Sequence, residues 1–488
     1  MLAAALASTC AVPMPAWGRL DPDSRPLRLG GATLELGLAD AIAVALRQNP
    51  RLRSSYLDRV VDQLRLEVAE ARFLPQGELA VSAAQRRAEG RDGDTQRTIR
   101  LSPNASMLLP TGGRVSFNWN MEDRLDSASA DVGGSGRHSA ATLEVVQPLL
   151  RGGGLEVGRA PVELARLREQ VQLLGLQSQV VATVNDVIAA YRGLLQARKQ
   201  LDIARLGLER TMARLENNRA LVERGRMAPN ELVQTEASLA QQRFGVGQAQ
   251  QAVDQAELQL LRILNLGRDT RLALRDVLEL ESLENLYVAP PPLAEAQRIA
   301  LSRRADYRAA LVGHRITEIN HMLAQNNQLW QLDFVASLDA SNQSDGDQPG
   351  HTVGLQLSIP IADRNRRLEI TESRIAVQQS EIRLEEQRAD LLLEVERALN
   401  DLNSRWQQLG FARTSLELAR RSLEIEREKQ ALGRSSTFEV NTLERNLTEA
   451  EQSVLDAIVN YLNAQTALDR VLGATLQTWD LTVPGLTE

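Results

Sequence analysis

The chain has 488 residues and a net charge of −7, and only 3% of its residues are aromatic. Charges of both signs are interleaved, which excludes the basic stripe of a nucleic-acid-binding protein; Leu, Ala, Gln, Glu and Arg abound, which suits long helices better than a compact core. The one cysteine, Cys10, lies in a leader-like stretch, so the remainder carries no disulfide and no thiol chemistry.

In chain order, residues 1–16 are small and apolar and reach Pro13 and Pro15, reading as an incomplete secretory signal without a basic start. Ala7, Ser8 and Thr9 make a poor lipidation box before Cys10. Residues 17–37, with Pro22 and Pro26, read as an extended arm. Leu38 to Leu46 predicts a short helix stopped by Asn49-Pro50, and Arg51 to Leu74 a second one ended by Pro75.

From Gly77 the period falls to two. Leu79, Val81 and Ala83 alternate with Glu78, Ala80 and Ser82, and residues 98–109 continue less cleanly to a turn at Pro110-Thr-Gly-Gly113. Val115, Phe117, Trp119 and Met121 then alternate with Ser116, Asn118 and Asn120. One apolar and one polar face is what a wall between lipid and a wet lumen requires, and equally what half of a soluble sandwich presents. A Gly/Ser/Asp-rich loop at 123–137 leads to a strand at Ala141–Val146, which closes at VQPLLRGGG (146–154). No run of 18 apolar residues occurs, which argues against a membrane-spanning helix but leaves a transmembrane β-barrel open.

Helical periodicity then resumes. Leu173, Val180, Val187, Leu194, Leu201, Leu208, Leu215 and Val222 keep heptad spacing until Gly225, and Pro229 starts a second helix that lasts to Leu266-Gly267. After Pro290-Pro-Pro292 the order repeats. LAEAQRIALSRRADY (293–307) lines up with LADAIAVALRQNPRL (38–52), strands follow at Phe334–Ala340 and Val353–Ile359, and Gly433 lines up with Gly225. From Leu368 to Leu432 only Gly410 interrupts helix formers. Val395, Leu402, Leu409, Leu416 and Leu423 form one seven-residue series; Phe411, Leu418, Ile425 and Leu432 form another, offset by two positions or about 200°. A helix with two opposite apolar edges stands in a wall with a neighbour on either side, and strict heptads imply left-handed supercoiling. The reading is an internal duplication, residues 38–289 (strands about 76–148, helical hairpin about 156–266) and 290–474 (strands about 332–361, hairpin about 364–472), with a tail at 475–488. Two such copies are too few to close a tube, so closure needs several chains in a ring.

These motifs resemble the TolC-type outer-membrane efflux protein family over about 36–474. The likeness rests on LADAIAVALRQNP, QPLLRGGG, SIPIADRNRR (358–367) and the tip-plus-helix pattern from Ala431 to Gly473, in the same order twice. It implies a mostly α chain with β structure, in which long coiled-coil helical hairpins form a periplasmic α-barrel continuous with a transmembrane β-barrel, closed by trimerisation. It also implies an exit duct in the outer membrane, taking substrates from an inner-membrane pump through a periplasmic adaptor, in drug or metal efflux or in type I secretion. The expected partners are a homotrimer, the adaptor, the pump and outer-membrane lipid, with no nucleic acid and no cofactor. One departure stands out. The family's first copy has two strands, whereas 75–148 has room for four, giving either extra barrel strands or an elaborated loop around Pro110–Gly113.

The resemblance also implies a pore narrowed by acidic residues just beyond the helix tips. Glu439, six residues after Gly433, matches one such position; the second falls on Thr442; Glu231 lies six after Gly225. Ser436-Thr-Phe-Glu439 is also a capping box, and Glu231 follows a Pro229 helix start, so both carboxylates have a local explanation. Gly225, Arg226, Gly433 and Arg434 are the candidates for tip latches or adaptor contacts, a solvated surface being the alternative for the two arginines. Nothing points to catalysis or a resident metal. His138, His314, His321 and His351 lack ligand spacing, two of them fall in strand loops, and His314 and His321, seven apart on a short helix, mark one surface or packing edge. The triple glycine at 152–154 lacks the lysine of a phosphate loop. The rival reading, a periplasmic coiled-coil scaffold, explains the heptads but not the alternating strands.

Overall fold

A computed structural model of the chain describes residues 33–87, 95–126, 137–225, 228–267, 269–276, 287–343, 346–361, 363–432 and 434–481. The leader, most of the N-terminal arm and the last seven residues lie outside these. The elements run β1 (Thr33–Leu36), α1 (Leu38–Gln48), α2 (Pro50–Ala71), β2 (Gln76–Arg87), β3 (Thr95–Leu108), β4 (Arg114–Asp126), β5 (Arg137–Pro148), α3 (Leu155–Glu223) and α4 (Pro229–Leu264). They continue with β6 (Arg271–Leu274), α5 (Leu293–Arg303), α6 (Ala305–Asn327), β7 (Gln331–Gln343), β8 (Gly346–Ser358), α7 (Arg364–Ala431), α8 (Thr437–Leu472) and α9 (Thr475–Thr478). Two compact units divide the chain. One comprises residues 51–185, 284–410 and 460–488; the other comprises residues 1–50, 186–283 and 411–459.

The first unit is built on a six-stranded antiparallel sheet in the order β2-β3-β4-β5-β7-β8. All four strands that fit within 75–148 are present, so Pro110–Gly113 is a tight turn between β3 and β4 and not an elaborated loop. Its geometry depends on glycine. Gly112 has φ +87°, and a Cβ there would stand 2.0 Å from the Gly152 carbonyl oxygen. A Cβ on Gly158 would meet the Pro110 carbonyl at 2.1 Å. Gln147 fastens the same turn, accepting from the Thr111 hydroxyl at 2.7 Å and donating to the Thr111 carbonyl at 3.2 Å. The run QPLLRGGG is thus the seat that receives the β3–β4 turn. Pro103 has no N–H to offer, and the β3–β4 ladder skips Ser102 and Pro103 without changing register.

The helical part of this unit buries Val395, Leu402 and Leu409, three members of the first heptad series of α7. Tyr287, Trp406 and Tyr461 stack in a row with centroids 5.0 and 5.1 Å apart, within the range of favourable aromatic pairs. The histidines form a packing edge. His314 Nδ1 lies 2.7 Å from the Ser380 hydroxyl and His321 Nδ1 2.9 Å from that of Ser373, matching two residues seven apart on α6 with two on α7. His138 and His351, expected in loops, stand inside β5 and β8. Thr475, in the expected tail, is fully buried at the start of α9.

The second unit holds a feature that periodicity missed. Thr33–Leu36, expected as the end of an extended arm, forms a parallel two-stranded sheet with β6. Tyr191 of α3 lies beneath it with its ring buried, its hydroxyl 3.0 Å from the Leu36 carbonyl and 2.7 Å from the Asp276 carboxylate. Burial first, and then the Asp276 carboxylate, push the phenol well above its ordinary range. Asp276 also accepts the Leu38 N–H at 2.9 Å, satisfying a donor at the start of α1. A window of α3 is apolar enough by length and composition to cross a membrane, and 44% of it is buried inside the chain. Leu194, Leu201 and Leu215 are buried, so this heptad face belongs to the chain's own interior.

Tyr191→Phe keeps the ring and removes the hydroxyl. The loss of its hydrogen bonds to Leu36 and Asp276 is expected to lower stability by about 1–2 kcal/mol, read as a shift in the unfolding midpoint in detergent. An unchanged midpoint would assign Tyr191 to packing alone.

Candidate functional site

Register fixes which side chains share a face of the sheet. Phe117 opposes Leu143 and Ala105, Leu143 opposes Leu338, and Ala336 opposes Val353. Val81 opposes Leu101, which opposes Met121. Following these pairs across all six strands gives one continuous apolar face, and none of the described residues of the unit covers it. Leu79 is 63% exposed, Leu338 60%, Val353 67% and Leu355 68%. A soluble protein rarely leaves such a surface open to water, and among the described residues no second sheet stands against it as the sandwich considered from sequence would require.

The opposite face is polar, with short side chains. Asn118 opposes Asn104 and Thr142, and Thr142 opposes Asp339 and donates to it at 2.8 Å. Arg100 and Glu122 pair across β3 and β4 at 2.9 Å. One apolar and one polar face is the pattern of a sheet that separates lipid from water.

The helix tips form the second part of the site. Gly225 ends α3 with φ +68°, a left-handed cap that favours glycine, and its N–H bonds the Val222 carbonyl at 2.9 Å. Pro229 then starts α4. At the other tip Ser436 and Glu439 form the expected capping box. The Glu439 N–H donates to the Ser436 hydroxyl at 3.3 Å, and the Ser436 N–H donates to the Glu439 carboxylate at 3.3 Å. The Ser435 hydroxyl also donates to Glu439, at 3.1 Å. Glu426 nearby sits below the ordinary carboxylate range, because hydrogen bonds from Ser435 and then Lys429 favour its charged form.

Glu231 is brought to this tip. Its carboxylate accepts the Thr437 hydroxyl at 3.1 Å, and Thr437 is buried. Thr442 turns its hydroxyl back to the Phe438 carbonyl at 3.0 Å and accepts from Arg445 at 3.4 Å, a local helix contact with no charge of its own. The Arg434 N–H closes the end of α7 on the Lys429 carbonyl at 2.8 Å. Arg226 and Gly433 lie outside the described residues.

Sequence reasoning missed Thr437 and, behind the tip, Glu444. Glu444 bridges Arg214 of α3 at 2.5 Å and Arg427 of α7 at 2.8 Å, with both Glu444 and Arg214 mostly buried. Each pairing is tertiary, so no local spacing announces it. Among the described residues no group of three or more His, Cys, Asp or Glu is placed to hold a metal ion.

The two heptad series of α7 have opposite fates. Leu416 and Leu423 are buried, whereas Phe411, Leu418, Ile425 and Leu432 all stand open, Phe411 at 75%.

The outer membrane efflux protein family model matches residues 297–474. No curated protein sequence matches the chain. Among solved structures, CusC, described in terms of transmembrane channel formation, is 18% identical with a TM-score of 0.68, over 89% of this chain and 92% of its own. The outer-membrane channel OprN is 17% identical with a TM-score of 0.67, over 90% of each chain. The open-state MtrE outer membrane channel of Neisseria gonorrhoeae is 14% identical with a TM-score of 0.67, over 90% and 89%. At these identities the likeness is one of fold.

Spin labels at Phe117 and Trp119 are expected to report lipid and labels at Ser116 and Asn118 water, in paramagnetic accessibility measurements on the reconstituted protein. Equal accessibility at all four positions would remove this strand from a membrane wall.

Proposed function

We propose that this chain, an outer membrane efflux protein over residues 297–474 and an outer-membrane channel fold over most of its length, is the passive exit duct of a tripartite efflux or type I secretion system. The observation that carries the reading is the uncovered apolar face of the six-stranded sheet, whose other face is polar. Lipid covers the first and transported solute passes the second. A periplasmic scaffold has no use for such a sheet.

The second heptad edge of α7 supports assembly. Open leucine, isoleucine and phenylalanine at seven-residue spacing fit the matching edge of another helix, and a head-to-tail contact of this kind must close as a ring or run on as a filament. Three copies, as the resemblance implies, complete both walls, each contributing the duplicated halves 38–289 and 290–474. A periplasmic adaptor and an inner-membrane pump supply the cargo. At the tips, Glu439 and Glu231 are the carboxylates proposed to narrow the pore, with Thr442 a neutral neighbour. Gly225 ends α3 there, and Gly433, Arg226 and Arg434 are proposed as helix-breaking, latch or adaptor positions. Three Glu439 carboxylates about one axis would favour cations and bind divalent ions.

Two measurements test this. Leu418→Asp with Ile425→Asp places charge on an edge that is open within one chain but closed in a ring. The variant is expected to stay folded and to run as a monomer on native gels, because an unpaired charge in a dry seam costs several kcal/mol. A fully trimeric variant would show that this edge is not an interface. Glu439→Gln retains the size and much of the capping ability of the side chain. Its channels in planar bilayers are expected to lose cation preference or sensitivity to divalent block, whereas unaltered selectivity would leave Glu439 the capping role alone.

A further inference from the structure

The sheet ends in two open edges, β2 and β8. A globular protein protects an open edge with lysine, proline, a bulge or a short strand. Neither edge does so here over its central part. Residues 350–358 of β8 read GHTVGLQLS, without a formal charge or proline, and residues 76–85 of β2 read QGELAVSAAQ, with only Glu78 charged. The strands are alike in length, 13 and 12 residues.

Their directions are complementary. Every neighbouring pair in the sheet is antiparallel, so an even count of six leaves β8 running opposite to β2. The β8 of one copy therefore continues the alternation when it meets the β2 of the next. The faces match as well, since Leu79 and Val81 extend the apolar surface on which Val353 and Leu355 stand.

We infer that β2 and β3 are barrel staves, that β8 pairs antiparallel with β2 of a second copy of this chain, and that the closed barrel has 18 strands. This rests on the three-copy assembly proposed above. The β2–β3 hairpin is an in-frame addition to the wall, because α2 delivers β2, and the turn after β3 delivers β4, at the same end of the sheet. The seat made by Gln147, Gly152 and Gly158 holds that turn at the foot of the wall and keeps the hairpin in line with β4.

The bore follows. Strands about 4.8 Å apart and tilted about 40° close at 18 on a backbone diameter of about 36 Å, against about 24 Å for twelve. The inner face is lined largely by short side chains such as Ser102, Asn104, Ser116 and Asn118, which leave most of that width to water. A barrel this wide passes bulky hydrated cargo without selecting it, so selection falls to the helix tips.

Disulfide mapping tests the pairing. In a Cys10→Ser background, Gln356→Cys on the polar face of β8 is combined in turn with Glu78→Cys, Ala80→Cys, Ser82→Cys or Ala84→Cys on β2, and the full-length protein is oxidised in outer-membrane vesicles. At least one pair is expected to yield dimer and trimer bands on denaturing gels. Cross-linking of Gln356→Cys to Asn118→Cys or Asn120→Cys on β4 would overturn the 18-stranded barrel while leaving the three-copy assembly, because β4 would then be the edge. The absence of any inter-chain band, with monomer on native gels, would overturn the assembly and the barrel together.

Discussion

The sheet has only one layer. Six strands align their apolar side chains on one face, and among the described residues no helix, loop or second sheet of their unit packs on it. In water that surface would be an aggregation hazard, so its cover must come from outside the chain. Bilayer hydrocarbon accepts it without limit, provided that no backbone edge is left unpaired in lipid, where each unsatisfied group costs several kcal/mol. In the proposed ring, pairing the two open edges between copies meets this requirement, and the even strand count suits it.

Glycine and glutamine at the foot of the sheet bear on the same requirement from within. The β3–β4 turn sits so close to residues 152–158 that a side chain at Gly112 or Gly158 would collide with main-chain oxygen. Gln147 satisfies Thr111 by both its amide and its carbonyl. Strand register is thus pinned where sheet meets helix, against a one-residue slip that would turn the apolar residues to the polar face.

Much of this was legible in the sequence. Alternation at Val115–Met121 and heptads at Val395–Leu423 are periodic over several turns or strand pairs, and periodicity survives without tertiary context. The capping box at Ser436–Glu439 is local and formed as read. The two heptad series on α7 were distinguishable, but which one the chain itself would cover was not, because that depends on partners distant in sequence. Short elements escaped for a similar reason. Thr33–Leu36 and Arg271–Leu274 are four residues each, too brief to establish a period, and they pair in parallel across most of the first half of the chain. Nothing near Glu444 in sequence sets it apart, and only the approach of Arg214 and Arg427 makes it a buried bridge.

That small parallel sheet constrains the order of events in folding. Leu36 cannot find Leu274 until the intervening 237 residues, including all of α3 and α4, have left the ribosome and crossed the inner membrane. Closing so long a loop costs entropy that only the finished contacts return. Tyr191 reports on that closure because its hydroxyl touches both ends, the Leu36 carbonyl and the Asp276 carboxylate. The N-terminal strand therefore stays without its β6 partner until that stretch has crossed, so that protease resistance at residues 33–36 would time the completion of the first helical hairpin.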